Sequence, residues 1–154
     1  MSLAPFGGLI LHGFTSSLDC VSPLIPVMEK HGLPYRMPVL RGHSTQPEDL
    51  RGVGWRDWYA DAEAALQDLL GEAEKAIVMG LSMGGLVALQ LAGDYPDRVG
   101  GLVCIAAALR VNNPLAPGEA FSFLRPVVAR LIRKWPMPPN YADKALEKCD
   151  TNYA

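Results

Sequence analysis

Residues 76–92 run Ala76-Ile77-Val78-Met79-Gly80-Leu81-Ser82-Met83-Gly84-Gly85-Leu86-Val87-Ala88-Leu89-Gln90-Leu91-Ala92, and the order of the two halves decides the architecture. Ala76 to Leu81 is a continuous apolar run, as expected of a β-strand covered on both faces. Met83 to Ala92 is Leu- and Ala-rich and long enough for a helix. Ser82 has one residue in which to end the strand and begin the helix. Such a turn strains the serine backbone, and the glycines two positions before and after it remove Cβ atoms that would collide with neighbouring elements. Gly-x-Ser-x-Gly alone arises by chance in about one 150-residue chain in twenty. The strand and helix around Gly80 and Gly84 are therefore what give the spacing meaning. A hydroxyl held there stands at the tip of a sheet beside a helix N-terminus, which favours developing negative charge. Ser82 is the candidate catalytic nucleophile for acyl transfer. The plainer reading makes it a helix cap.

Outward from this turn, short apolar strands alternate with amphipathic helices, the pattern of an α/β chain with a parallel sheet and crossover helices. Gly8 to Leu11 reads as the first strand. A helix is expected from Ser22 to His31, with Ser22 as N-cap, Pro23 at its first position and Gly32 just past its end. Tyr35 to Leu40 reads as the second strand. Trp58, Ala62, Ala65, Leu66 and Leu69 recur at helical spacing between Trp55 and Leu70, closed by Gly71. Val99 to Ala106 reads as the fourth strand.

A serine hydroxyl is a weak nucleophile at neutral pH, so the reaction needs a base for its proton and donors for the oxyanion. His12-Gly13-Phe14 follows the first strand directly, where its loop can lie beside Ser82 and offer a backbone N–H. The amides of Phe14 and Met83 are the expected oxyanion hole. His12 reads as a hydrogen-bonded imidazole bracing that loop rather than as a base, and His43 as a loop organiser.

Four segments, Leu11-His12-Gly13-Phe14-Thr15, Leu40-Arg41-Gly42-His43-Ser44, Trp55 and Trp58 with Asp61, and Gly80-Leu81-Ser82-Met83-Gly84-Gly85, together resemble the carboxylesterase and monoacylglycerol-lipase branch of the α/β-hydrolases in order and spacing. The resemblance covers about Gly8 to Ala108. It implies an α/β-hydrolase fold, Ser82 as the acylated nucleophile, Phe14 and Met83 as oxyanion donors, supported by His12, Gly13, Gly80 and Gly84, and no cofactor or metal. It implies two regions: an N-terminal core over residues 1–108 and the start of a helical cap over residues 109–154. Within the latter, Phe121, Leu124, Val128, Leu131, Ile132 and Trp135 can share one helix face despite Pro126.

The sequence departs from that family at the base. In this fold the acid and histidine follow the serine, whereas His12, His31 and His43 all precede Ser82. Asp94, Asp97, Glu119, Asp143, Glu147 and Asp150 come later, but none follows a recognisable late strand. The expectation is that the chain lacks a C-terminal part carrying both groups, and that alone it is nearly inactive. An open sheet edge would then favour self-association, and an inactive fragment acting by association is the alternative of another class. Thioesterase and C–C hydrolase chemistry share the same turn.

Composition narrows the partners. With 49% hydrophobic and 19% charged residues and a formal net charge of −2, the chain suits a globular domain and offers no basic face for nucleic acid. A small neutral ester fits better. Cys20, Cys104 and Cys149 match neither a disulfide framework nor zinc-ligand spacing. They are expected to be reduced thiols, which points to the cytoplasm. The apolar start lacks a basic region before it, so a signal peptide is not expected. The basic-apolar helix near the C-terminus gives membrane contact only weak support.

Overall fold

The computed structural model describes residues 3–107 and 109. In chain order the regular elements are β1 (Ala4–Leu11), α1 (Ile25–Lys30), β2 (Tyr35–Arg36), α2 (Trp55–Leu69), β3 (Ala73–Leu81), α3 (Met83–Asp94) and β4 (Val99–Ile105), with short 3-10 turns at Leu18–Cys20, Ser22–Leu24 and Pro47–Leu50. The four strands are parallel and lie in the order β2-β1-β3-β4. A helix lies in each crossover, because parallel neighbours cannot be joined by a tight hairpin. The expected α/β layout with flanking helices is the one observed.

Side-chain alternation along the two central strands separates two cores. Leu9, Leu11, Ala76 and Val78 point to one face and pack with Ala62, Leu66 and Leu69 of α2 and Val87, Ala88 and Leu91 of α3. Ile10, Met79, Ile77 and Leu81 point to the other, with Met28 of α1 and Val21. The unbroken apolar run of β3 thus serves both layers, as a parallel sheet requires. Its register sets the site: Leu11 is opposite Gly80, so the loops leaving β1 and β3 start side by side.

Strands β1 and β3 begin earlier than expected, at Ala4 and Ala73 rather than Gly8 and Ala76, and two further elements are cut short. The expected strand Tyr35 to Leu40 keeps only Tyr35–Arg36 in the sheet. Pro38 has no N–H to give a ladder, and the Leu40 N–H is drawn instead to Nε2 of His12 at 3.0 Å. The expected helix from Ser22 to His31 is broken into a 3-10 turn and a six-residue α1. Pro26 cannot supply the N–H that a continuous helix would aim at the Ser22 carbonyl, and Ile25 donates there instead in a tighter turn. The Ser22 hydroxyl donates to the Asp19 carbonyl at 3.0 Å, so Ser22 is not the cap of α1. The stop signal works as read. Gly32 has φ +61°, and the Gly32 and Leu33 amides close on the carbonyls of Glu29 and Met28, both at 3.0 Å, which is a Schellman motif.

No helix among the described residues is long and apolar enough to cross a membrane. The cap expected over residues 109–154 lies outside them, apart from Leu109.

Candidate active site

From β1 the chain passes to β2 on one side, and from β3 to β4 on the other. Between β1 and β3 the strand order therefore reverses, and the loops leaving their C-terminal ends diverge around a crevice. Open parallel sheets bind ligands at such points. Both sequence-predicted segments, Ser82 after β3 and His12-Gly13-Phe14 after β1, lie there.

Ser82 occupies φ 52°, ψ −112°, a conformation that L-residues avoid because of their Cβ. Its neighbours hold it: the Ser82 N–H donates to the Ile105 carbonyl at 2.9 Å, and its own carbonyl accepts from Gly85 at 3.0 Å. The flanking glycines are required for a different reason, which is space. A methyl group on Gly80 would lie 2.2 Å from the Gly84 carbonyl oxygen, and one on Gly84 would lie 2.5 Å from the carbonyl oxygens of both Leu11 and His12. Helix α3 thus starts against the backbones of β1 and β3, a proximity only glycine permits.

The β1 loop reaches the serine. A methyl group on Gly13 would stand 3.4 Å from the Leu81 carbonyl oxygen and the Ser82 Cβ, so about a methyl's breadth separates the two turns. Among the described residues, neither the Phe14 nor the Met83 N–H has a hydrogen-bond acceptor. Met83 is the first residue of α3, whose amide no intrahelical carbonyl can satisfy. Two free donors and a hydroxyl are therefore gathered at the switch point. The Phe14 ring is half-exposed, tilted on Trp58 with centroids 5.7 Å apart and edge-on to His43 at 5.9 Å.

His12 is fully buried. Its Nε2 accepts from the Leu40 N–H at 3.0 Å, so the proton resides on Nδ1, which donates to the Gly13 carbonyl at 2.9 Å. Both nitrogens are occupied, which leaves neither to take a proton from Ser82. Desolvation holds this imidazole below its usual 6.5, opposed by the hydrogen bond to the Gly13 carbonyl and aided by electrostatic repulsion from the neighbouring His43 ring. The sign for stability follows. Below about pH 6.5 the unfolded chain binds a proton that the folded one resists, so stability is full above that pH and falls as the pH drops beneath it. Denaturant melts at pH 7.5 and 5.5 are expected to show the lower midpoint at 5.5, and His12→Asn is expected to flatten this difference.

His43 is 4% exposed. Its Nδ1 donates to the carbonyls of Leu40 and Arg41, at 3.0 and 3.2 Å. His31 caps the C-terminal end of α1 just before β2, at the end of the sheet where strands start, whereas Ser82 follows the C-terminal end of β3. Both ring nitrogens of His12 are thus taken, whereas the buried Nε2 of His43 has no hydrogen-bond partner among the described residues.

The sequence reading gave no role to Arg41, Asp57 or the contacts of Asp61. The Arg41 guanidinium pairs with Asp57 and Asp61, each at 2.9 Å, the Arg41 N–H donates to Asp61 at 2.7 Å, and the Trp58 indole N–H donates to the Arg41 carbonyl at 3.0 Å. The available signal was spacing: Asp57, Trp58 and Asp61 recur at i, i+1 and i+4, on the edge of α2 beside its buried Ala62.

A family model described as serine aminopeptidase S33 matches residues 9–152. The thermostable monoacylglycerol lipase of Bacillus sp. (strain H-257) is 37% identical over 107 residues, covering 70% of this chain and 42% of that protein. The carboxylesterase of Bacillus subtilis (strain 168) is 30% identical over 106 residues, covering 68% of this chain and 42% of that protein. A solved structure from work on the metagenome-derived lipolytic enzymes LipS and LipT superposes with a TM-score of 0.68 at 35% identity, covering 73% of this chain and 46% of the other. This chain spans less than half the length of each of the three. The match over residues 9–152, together with the strand order and the turn at Ser82, shows that the chain belongs to the serine aminopeptidase S33 family of α/β-hydrolases.

Proposed function

We propose that this chain is the nucleophile-bearing part of a serine hydrolase that cleaves carboxylic esters of short or medium acyl chains, or monoacylglycerols, through an acyl-enzyme on Ser82. The observation that carries this reading is the Ser82 backbone at φ 52°, beside two amides without acceptors. As the hydroxyl attacks the ester carbonyl, the carbonyl oxygen gains negative charge, and the Phe14 and Met83 N–H groups stabilise it. Collapse expels the alcohol and leaves the acyl group on Ser82 Oγ; water then releases the acid. His12, Gly13, Gly80 and Gly84 hold this geometry without touching substrate.

The histidine that takes the Ser82 proton, and the acid that orients it, are supplied from outside these 154 residues. Two observations support this: both ring nitrogens of His12 are committed to backbone partners, and the relatives are more than twice as long as the segment they share with this chain. The relatives named for lipase and carboxylesterase activity point to ester substrates, and the reaction requires no cofactor.

A fluorophosphonate probe tests this directly. Slow labelling of one site is expected, because oxyanion and binding effects survive loss of other triad members, with complete loss in Ser82→Ala. Labelling that persists in Ser82→Ala, or none in a protein extended to the length of its relatives, would remove the hydrolase assignment.

A further inference from the structure

The loop that carries the Phe14 amide is not held by its own strand alone. We propose that Asp61 and Trp58, both on α2, are positioning residues for the Phe14 N–H, acting through Arg41, Leu40 and His12; the inference rests on the oxyanion role proposed for that amide.

The connection can be followed atom by atom. Asp61 accepts from the Arg41 N–H, and Trp58 Nε1–H donates to the Arg41 carbonyl, so the Arg41 backbone is fixed at both ends. The Leu40 carbonyl accepts from the His43 N–H at 3.1 Å and from His43 Nδ1 at 3.0 Å. The one remaining group, the Leu40 N–H, points at Nε2 of His12. That bond selects the tautomer with hydrogen on Nδ1, which donates to the Gly13 carbonyl. The last step is covalent. Gly13 C=O and Phe14 N–H share one planar trans peptide unit, so pinning the oxygen on one side fixes the direction of the N–H on the other. An amide that must meet an oxyanion at hydrogen-bond distance is therefore aimed from a helix at the far end of the relay.

A merely structural role for α2 would predict something else, namely that any lost α2 contact has the same effect. Tyr59 supplies the comparison: on the same helix, its hydroxyl donates to Asp94 at 2.7 Å and leads nowhere near the β1 loop.

The decisive measurement is NMR of the ¹⁵N-labelled chain. In the wild type, a scalar coupling across Leu40 N–H···Nε2 of His12 and an ¹⁵N shift showing unprotonated Nε2 are expected. In Asp61→Ala the coupling is expected to vanish, the Phe14 amide resonance to move, and exchange at the Leu40 amide to quicken about tenfold or more. Asp61→Asn, which keeps an oxygen for the Arg41 N–H, is expected to recover these signals, and Tyr59→Phe to leave them unchanged. Trp58→Phe removes the indole N–H and, because the Trp58 ring itself lies against Phe14, is read by the Leu40–His12 coupling and Leu40 exchange alone should Asp61→Ala fail to fold. Unchanged Leu40, His12 and Phe14 signals in a folded Asp61 variant, or an unchanged Leu40–His12 coupling and Leu40 exchange in a folded Trp58 variant, overturn the proposal, as do equal changes in Tyr59→Phe. In a second arm, Ser82 phosphonylation is expected to slow about tenfold in Asp61→Ala, less than the roughly 100-fold or greater loss of a whole donor. Absence of labelling in the wild type would count against the hydrolase reading, while the NMR arm still decides the relay.

Discussion

Adding one methyl group at Gly80 is expected to unfold the chain or bring it close to unfolding, whereas the same methyl at Gly93 is expected to be harmless. At Gly80 the new carbon would sit 2.2 Å from the Gly84 carbonyl oxygen, 2.3 Å from its carbon and 2.5 Å from the Gly85 nitrogen. All three are backbone atoms of the first turn of α3, so no side chain can swing aside. Relief requires the helix to move, but Gly84 is itself seated against the Leu11 and His12 carbonyls. Ordinary overpacking costs about 1–3 kcal/mol because side chains and backbone share the adjustment. Here the adjustment falls on the contact between β3, α3 and β1, and a cost above about 3 kcal/mol is expected against a total stability of about 5–15 kcal/mol. Gly93 lies in the last turn of the same helix with nothing within 4 Å of the added carbon. Gly93→Ala is expected to be neutral or to stabilise by up to about 1 kcal/mol through helix propensity. Urea denaturation followed by circular dichroism compares the two. Similar midpoints for Gly80→Ala and the wild type would show that α3 does not depend on this close approach.

This contrast explains what the sequence revealed. The Gly80–Gly84 spacing was readable because it is local: a strand, one residue and a helix within a short window. The two-faced burial of β3 was readable for a similar reason, since a run without polar residues admits few other places in a soluble fold. The boundaries of β2 and α1 were not, because each was set by a distant or competing donor. Leu40 leaves the sheet for a histidine 28 positions earlier, and Pro26 breaks a helix whose caps otherwise read well. The relay through Arg41 was hidden for the same reason. Its members come from the β1 loop, the β2–α2 loop and α2, and only the strand order 2-1-3-4 brings them together. In the sequence they appeared as separate motif residues without a common task. The residues that would complete the proposed chemistry could not be read at all, since all three histidines precede Ser82 in the sequence, whereas this fold places its histidine after the serine.

Replacing Ser82 with glycine is expected to abolish probe labelling and at the same time make the fold more stable, while Ser82→Ala abolishes labelling without that gain. Both substitutions remove the hydroxyl, which has no hydrogen-bond partner among the described residues, so neither loses a bond on that account. They differ at Cβ. At φ 52°, ψ −112° a residue carrying Cβ bears strain of about 1–3 kcal/mol, and alanine retains it. Glycine does not, although its freer unfolded chain returns about 0.5–1 kcal/mol of the benefit. A net gain of about 1 kcal/mol over Ser82→Ala is therefore expected. It should appear as a higher urea midpoint at an unchanged slope, because the surface exposed on unfolding is the same. Equal midpoints for the two variants would mean that the turn stores no strain. A site that holds its nucleophile in a conformation its own backbone resists is the physical mark of a position selected for presentation of the hydroxyl rather than for stability.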